Sequence, residues 1–292
     1  MATLVVFSDA GGDGDVQKTD ANWDTCHDAA SGDAVETGTL PFVNTSKFGS
    51  SFRIQRAFFP FDTADLPDNA IVSSALLRLY IFGKLNDDND GDDWVNVVQT
   101  TQSDPTNLVL GDYSKCGSIN DPDEGATRID IGNITNSAYN TWTLNSAGIG
   151  WLNKTGFTKL GMREGHDAID SPYGGADSSN NYIWFVSANQ SGTNFDPRLT
   201  IAWTDVSFTN SAVGKITRTT ATVTSNLFYA SNLPILEMGV VVSTGANPTI
   251  DNEKFVIDNK TGDFEVKLKN LTPGTKHFAR TFLTNTDGTT YG

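Results

Sequence analysis

Basic side chains are scarce in this sequence. Twenty Lys and Arg stand against 35 Asp and Glu in 292 residues, a formal net charge of −15. Such a surface repels phosphate backbones and anionic lipid headgroups, which disfavours nucleic-acid binding and membrane association alike. Long apolar runs are missing too: none approaches the ~20 residues of a membrane span. The opening stretch, Met1 to Asp9, has no basic region and too short an apolar core for a secretory signal. Cysteine is limited to Cys26 and Cys116. Two thiols make neither a disulfide framework nor a zinc site; they pair with each other or remain ordinary thiols. Histidine occurs three times, as His27, His166 and His277, in separate stretches with no local motif joining them to Ser or Cys. His277 falls in an expected strand, where a structural role is the ordinary one. A Gly-x-Ser-x-Gly elbow, a phosphate loop and a His-Glu-x-x-His pair are all absent, so the expectation is a protein that is not an enzyme. Carboxylate pairs of the glycosidase kind are not excluded by counting, but the acidic residues crowd into expected turns, where solvation explains them.

The Ala/Glu/Lys/Leu bias of helical proteins is also lacking. In its place stand 35 Thr, 25 Asn and 27 Gly, with 10% aromatic residues. That is too aromatic for a disordered chain and reads as short strands joined by tight turns, an all-β protein.

Charge and tryptophan divide the chain. Residues 1–204 carry 12 basic and 27 acidic side chains, while residues 205–292 carry eight of each. All six Trp and both Cys fall in the first segment. Two domains are therefore expected, 1–204 and 205–292, with a short junction. In the first, strands are expected at 51–61, 71–82, 93–99, 141–144, 159–163, 182–186 and 198–203, with a short helix at 146–154. Some eight strands without a βαβ rhythm imply a jelly-roll β-sandwich. In the second, six strands at 205–213, 219–229, 236–244, 253–258, 263–269 and 276–286 fit an immunoglobulin-like sandwich. Its seventh strand has only about four residues, against a usual five or six. The expectation is that the domain lacks most of that strand, because the protein continues past Gly292 or because another chain supplies it by β-augmentation.

Both halves carry recognisable patterns. Arg56-Ala57-Phe58-Phe59-Pro60-Phe61-Asp62, then Leu66-Pro67 and Ala70-Ile71, then Ser74-Ala75-Leu76-Leu77-Arg78-Leu79-Tyr80, resemble the DNRLRE-type, carbohydrate-binding-module-like jelly roll. Asp196-Pro197-Arg198-Leu199-Thr200-Ile201 is similar to that family's closing strand. Versions beginning at the initiator Met occur among phage structural genes and have segments similar to Lys154-Thr155-Gly156-Phe157-Thr158-Lys159-Leu160-Gly161-Met162-Arg163. Residues 205–292 resemble a fibronectin type III-like domain of the kind common in Bacteroidetes proteins and their phages. The matching segments are Glu237-Met238-Gly239-Val240-Val241-Val242-Ser243, Leu271-Thr272-Pro273-Gly274-Thr275 and Ala279-Arg280-Thr281-Phe282-Leu283.

The resemblance implies a non-enzymatic virion surface protein, such as a head-decoration, fibre or tail-associated protein. Its partners would be other virion or surface proteins, further copies of itself, and surface glycans, through which it would adhere to a host. The alternative is a secreted or cell-surface carbohydrate-binding module, or a fragment of a larger polysaccharide-acting protein. Related jelly rolls often hold a structural calcium, and two acidic clusters are candidates. Asp9, Asp13 and Asp15 alternate with glycines, and Asp88, Asp90 and Asp92 lie in a loop that lacks the Glu an EF-hand needs at its twelfth position. For glycan stacking the candidates are Trp23, Trp94 and Tyr173, which lie near polar loops. Trp184 and Trp203, within apolar strands, are expected in the core.

Overall fold

The computed structural model describes residues 2–67, 70–204, 206–229, 234–286 and 288–292, excepting the side chain of Asn210. The chain separates into a first compact unit, residues 1–68 and 72–203, and a second, residues 204–292 with the short piece 69–71.

The first unit is a jelly-roll β-sandwich built from one curling antiparallel sheet. Its strands are β1 (Ala2–Phe7), β2 (Gly14–Asp20), β3 (Ala34–Glu36), β4 (Phe42–Phe48), β5 (Ser51–Asp62), β6 (Ile71–Asn86), β7 (Trp94–Gln99), β8 (Ile129–Asp130), β9 (Ala138–Thr143), β10 (Phe157–Glu164), β11 (Asn180–Phe185) and β12 (Arg198–Thr204). The sheet runs β1-β12-β6-β11-β4-β5-β10-β7-β8, with β2 and β3 joined at β5 and β9 joined at β6. Among the described residues three short α-helices interrupt it, α1 (Trp23–His27), α2 (Ser146–Gly150) and α3 (Gly165–Ala168), along with two 3-10 turns at Leu110–Lys115 and Ile131–Asn133.

β5 has the apolar run expected of a central strand and occupies that place. Its first half lies between β2 and β4, and its second half pairs with β10. Ile54 through Phe61 are buried. β6 alternates instead, with Ala75, Leu77, Leu79 and Ile81 inward and Arg78, Tyr80 and Phe82 outward. A core cluster gathers Val16, Ile54, Phe58, Val98, Leu108 and Tyr113 with both cysteines. Cys26 and Cys116 are separate, buried free thiols. α2 is shorter than the expected 146–154. Asn145 Oδ1 caps it by accepting the Gly148 N–H at 3.0 Å, and Gly148 and Gly150 sit inside it as weak helix formers.

The second unit is an immunoglobulin/fibronectin III-like sandwich of seven strands: β13 (Val206–Gly214), β14 (Ala221–Tyr229), β15 (Glu237–Ser243), β16 (Glu253–Ile257), β17 (Gly262–Leu268), β18 (Phe278–Asn285) and β19 (Gly288–Tyr291). One sheet is β13-β14-β17 and the other β16-β15-β18-β19. Val223, Leu227, Met238, Val240, Phe264, Val266 and Leu283 form its core. The four-residue β19 pairs Phe282 with Tyr291 through Asn285 with Gly288, and Gly292 N donates to Thr281 O at 3.0 Å. The edge of β18 is therefore covered as far as Thr281.

Candidate functional site

On the outward face of the first unit's sheet, side chains from five neighbouring strands line an open cleft of about 460 Å³. Side chains on a strand alternate between faces, and directly paired residues share a face. The register therefore assembles the site. Gln17 is opposite Gln55, Gln55 opposite Asn44, and Asn44 opposite Tyr182. Glu36 is paired with Asp15, and Phe42 with Trp184. Arg53, two residues before Gln55, extends the polar row.

The floor is a hydrogen-bonded polar network. Asp15 accepts the Phe42 N–H at 2.8 Å and Gln55 Nε2 at 3.1 Å. Gln55 Oε1 in turn accepts from Asn44 Nδ2 at 3.1 Å. Burial pushes the Asp15 carboxyl up to about 7 against those two donors, with Glu36 adding to the rise. Asn44 is buried, yet its Oδ1 has no hydrogen-bond partner among the described residues, and neither has Arg53 Nε. Buried polar atoms are ordinarily paired, so these two are exceptions within the network.

An aromatic platform flanks the network. Phe42 meets Trp184 nearly face to face at 5.6 Å and Tyr182 edge-on at 5.4 Å. Phe82, 48% exposed, abuts Trp184 at 5.2 Å. The indole lies over Gly83 of β6, where a Cβ would come 1.8 Å from Trp184 Nε1; glycine is what admits it. Amide and guanidinium groups beside half-exposed rings can bind a sugar, whose hydroxyls take the polar groups while its C–H face covers a ring.

The aromatic expectations are corrected here. Trp23, Trp94 and Tyr173 are all buried, so they offer no exposed face for stacking. Trp23 donates to Asp170 Oδ1 at 2.8 Å and meets Phe52 edge-on, Arg128 lies 3.7 Å over the Trp94 ring, and Tyr173 OH bonds Ser179 at 3.1 Å. Trp184 and Trp203, expected in the core, are only half-buried. An apolar run identifies a strand but not the face a given ring takes. The cleft residues escaped notice because polar and aromatic side chains recur at every second position of four separate strands. That period-two signal, Asp15/Gln17, Phe42/Asn44, Arg53/Gln55 and Tyr182/Trp184, was present in the sequence.

The acidic candidates divide. Asp9, Asp13 and Asp15 are not brought together. Asp9 accepts the N–H groups of Gly11 and Gly12, Asp13 accepts that of Ala188 at 2.8 Å, and Asp15 faces the cleft. Burial pushes Asp13 up to about 7, with Asp196 and Asp9 adding to the rise. Asp88 and Asp90 do converge, but on His166 and without Asp92. His166 Nε2 lies 3.5 Å from Asp88 Oδ2 and 3.3 Å from Asp90 Oδ2, while Nδ1 is 3.1 Å from Glu164 Oε1. Burial opposes the imidazolium, yet Glu164, Asp88 and Asp90 outweigh it and push its pKa up to about 9. The 86–93 loop reaches α3 because residue 165 is glycine: a Cβ there would be 1.9 Å from Asp92 O.

His27 belongs to a second buried network. Asp167 receives Arg56 Nη2 at 2.7 Å and Arg163 Nε at 2.6 Å, and its backbone O lies 2.9 Å from His27 Nε2. All four side chains are buried, which gives this network the character of a structural joint.

No protein-family model matches the chain, and no curated protein matches it. Among solved structures it is similar to a β-glucuronidase from an uncultured Clostridium species, at 9% identity and a TM-score of 0.28. The match covers 99% of this chain and 44% of that one, so the chain spans less than half that protein's length. A likeness of this strength carries no argument about activity. Among the described residues, no helix is long and apolar enough to cross a membrane.

Proposed function

We propose that the protein is a non-catalytic surface protein whose first unit binds carbohydrate in the β2-β3-β4-β5-β11 cleft. The observation that carries this reading is the row of amide and guanidinium side chains lining the cleft, Gln17, Asn44, Gln55 and Arg53, on the sheet face that also carries the Phe42–Tyr182–Trp184 platform. A saccharide supplies hydroxyls for the first and an apolar ring face for the second. The net charge of −15 favours neutral or cationic glycans over sulfated or uronic ones, with Arg53 giving local tolerance for one anionic group. The setting is a surface, that of a virion in the first instance or of a bacterium in the second, where the fibronectin-like unit contacts neighbouring proteins or copies.

The test is binding of the full chain to an array of oligosaccharides and to insoluble polysaccharides, with Arg53→Ala and Tyr182→Ala alongside. Each variant loses about 10-fold or more in affinity, the scale of one charged hydrogen bond or one aromatic contact. Absence of saccharide binding by the wild type, or undiminished binding by both variants, would overturn the reading. Immunolabelling of intact phage particles against labelling of the host surface separates the two settings.

A further inference from the structure

We propose that Asp88, Asp90 and His166 form a binding site for a divalent transition ion of the zinc class, rather than for calcium. Three observations carry it. The donor atoms of all three side chains lie within 4.8 Å of one another. His166 Nε2 is 3.5 Å from Asp88 Oδ2 and 3.3 Å from Asp90 Oδ2. A tetrahedral ion with ligands at about 2.0–2.1 Å holds neighbouring donor atoms about 3.3–3.4 Å apart, so these two edges already have the required length.

The second observation concerns what is left unmet. The Asp88 side chain is 9% exposed, yet its Oδ2 accepts no hydrogen bond among the described residues; Oδ1 takes Asn181 Nδ2 at 2.6 Å. One oxygen is anchored and the other faces the cluster. The third is the orientation of the imidazole. His166 is fully buried, and Glu164 Oε1 lies 3.1 Å from Nδ1, which directs Nε2 at Asp88 and Asp90. Glu164 also accepts the His166 backbone N–H at 3.0 Å and sits within 3.4 Å of Asn181 Nδ2. A carboxylate behind a ligating histidine fixes tautomer and ring orientation in this way.

The nitrogen donor selects the ion. Calcium takes six to eight oxygens, whereas imidazole with two carboxylates suits zinc and its neighbours. Asp90 is 45% exposed, so water completes the coordination. The ion would fasten the 86–93 loop to α3, two segments otherwise far apart in sequence.

The experiment uses the full, untagged chain stripped with chelator and titrated with Zn²⁺, Ca²⁺ and Co²⁺. Calorimetry reads stoichiometry and affinity, thermal unfolding reads stabilisation, and the cobalt visible spectrum reads coordination. One zinc per chain is expected, with a rise in melting temperature, and cobalt absorption of the tetrahedral kind. Asp90→Asn, a change at an exposed side chain, weakens zinc about 10-fold or more, and Glu164→Gln about 10–100-fold. No saturable zinc binding, a preference for calcium, or zinc affinity unchanged in Asp90→Asn would each overturn the proposal. Glycan binding is read separately, so failure here leaves the cleft reading standing and the reverse.

Discussion

Asp167→Asn removes one charge from a site where two guanidiniums depend on it. Arg56 donates to Asp167 through Nε at 3.0 Å and Nη2 at 2.7 Å, and Arg163 through Nε at 2.6 Å and Nη2 at 2.9 Å. Their other N–H groups go to the carbonyls of His27, Tyr113, Ser118 and Ile119. One carboxylate thus ties together α1, β5, β10, α3 and the segment 113–119. The asparagine amide would turn two N–H donors toward guanidinium donors and leave two buried cations facing one neutral acceptor. Breaking a buried pair in this way costs about 3–5 kcal/mol. Against a typical total of about 5–15 kcal/mol that is a large fraction, and for a unit of some 200 residues it corresponds to a fall in melting temperature of roughly 6–20 °C. All six Trp lie before residue 204, so tryptophan fluorescence follows the first unit alone. Replacing all three residues by apolar side chains of similar volume is expected to cost less than Asp167→Asn alone, because no stranded charge remains. The pH profile carries the same signature. Burial alone would raise the Asp167 pKa, but Arg163 and Arg56 hold it well below the usual carboxylate range. A depressed folded-state pKa gives stability that is present above the unfolded value, near 4, and is lost as pH falls below it. Wild type should therefore show an acid-unfolding limb below pH 4 that is weakened in Asp167→Asn. A destabilisation under about 1 kcal/mol, or an unchanged acid limb, would refute this account of the network.

Asp13 runs the other way: its folded pKa of about 7 lies above the unfolded value, so the first unit loses stability as pH rises from about 4 to 7. Asp15, also raised to about 7, adds a like slope, so Asp13→Asn should remove only its own share, a difference on the order of 3 kcal/mol between wild type and variant, read from urea midpoints at pH 4.5 and 7.5. Gly83→Ala places a methyl against the Trp184 indole and should redshift its fluorescence and weaken saccharide binding, at a stability cost of about 1–3 kcal/mol. Burial pushes both thiols up to about 12, so Cys26 and Cys116 should react with an aromatic disulfide reagent only after denaturation, two equivalents per chain.

What was legible in the sequence was whatever depends on local pattern. The runs at 51–61 and 71–82 became β5 and β6. The clean alternation at 221–227 and 264–268 became β14 and β17. Short strands were less visible: β3 and β8 have three and two residues, too few for a periodic signal.

The site depended on facts that no local window contains. Gln17, Gln55, Asn44 and Tyr182 form one row only because β2, β5, β4 and β11 pair in that register, across 165 residues of chain. The same limit explains the acidic clusters. A sequence rich in aspartate suggests cation sites wherever carboxylates are close in number, yet a carboxylate two or three residues before a turn is consumed by backbone N–H groups. Asp9 serves Gly11 and Gly12, Asp104 serves Thr106, and Asp130 serves Gly132. A carboxylate is left for other chemistry only when a distant segment prevents that local use. At Asp88 the distant segment is β11, whose Asn181 holds one oxygen and leaves the other toward His166. Spacing within the 86–93 loop therefore singled out two residues that converge on His166, for a reason unrelated to that convergence. The third, His166, sits 76 residues beyond Asp90, where only the folded chain could deliver it.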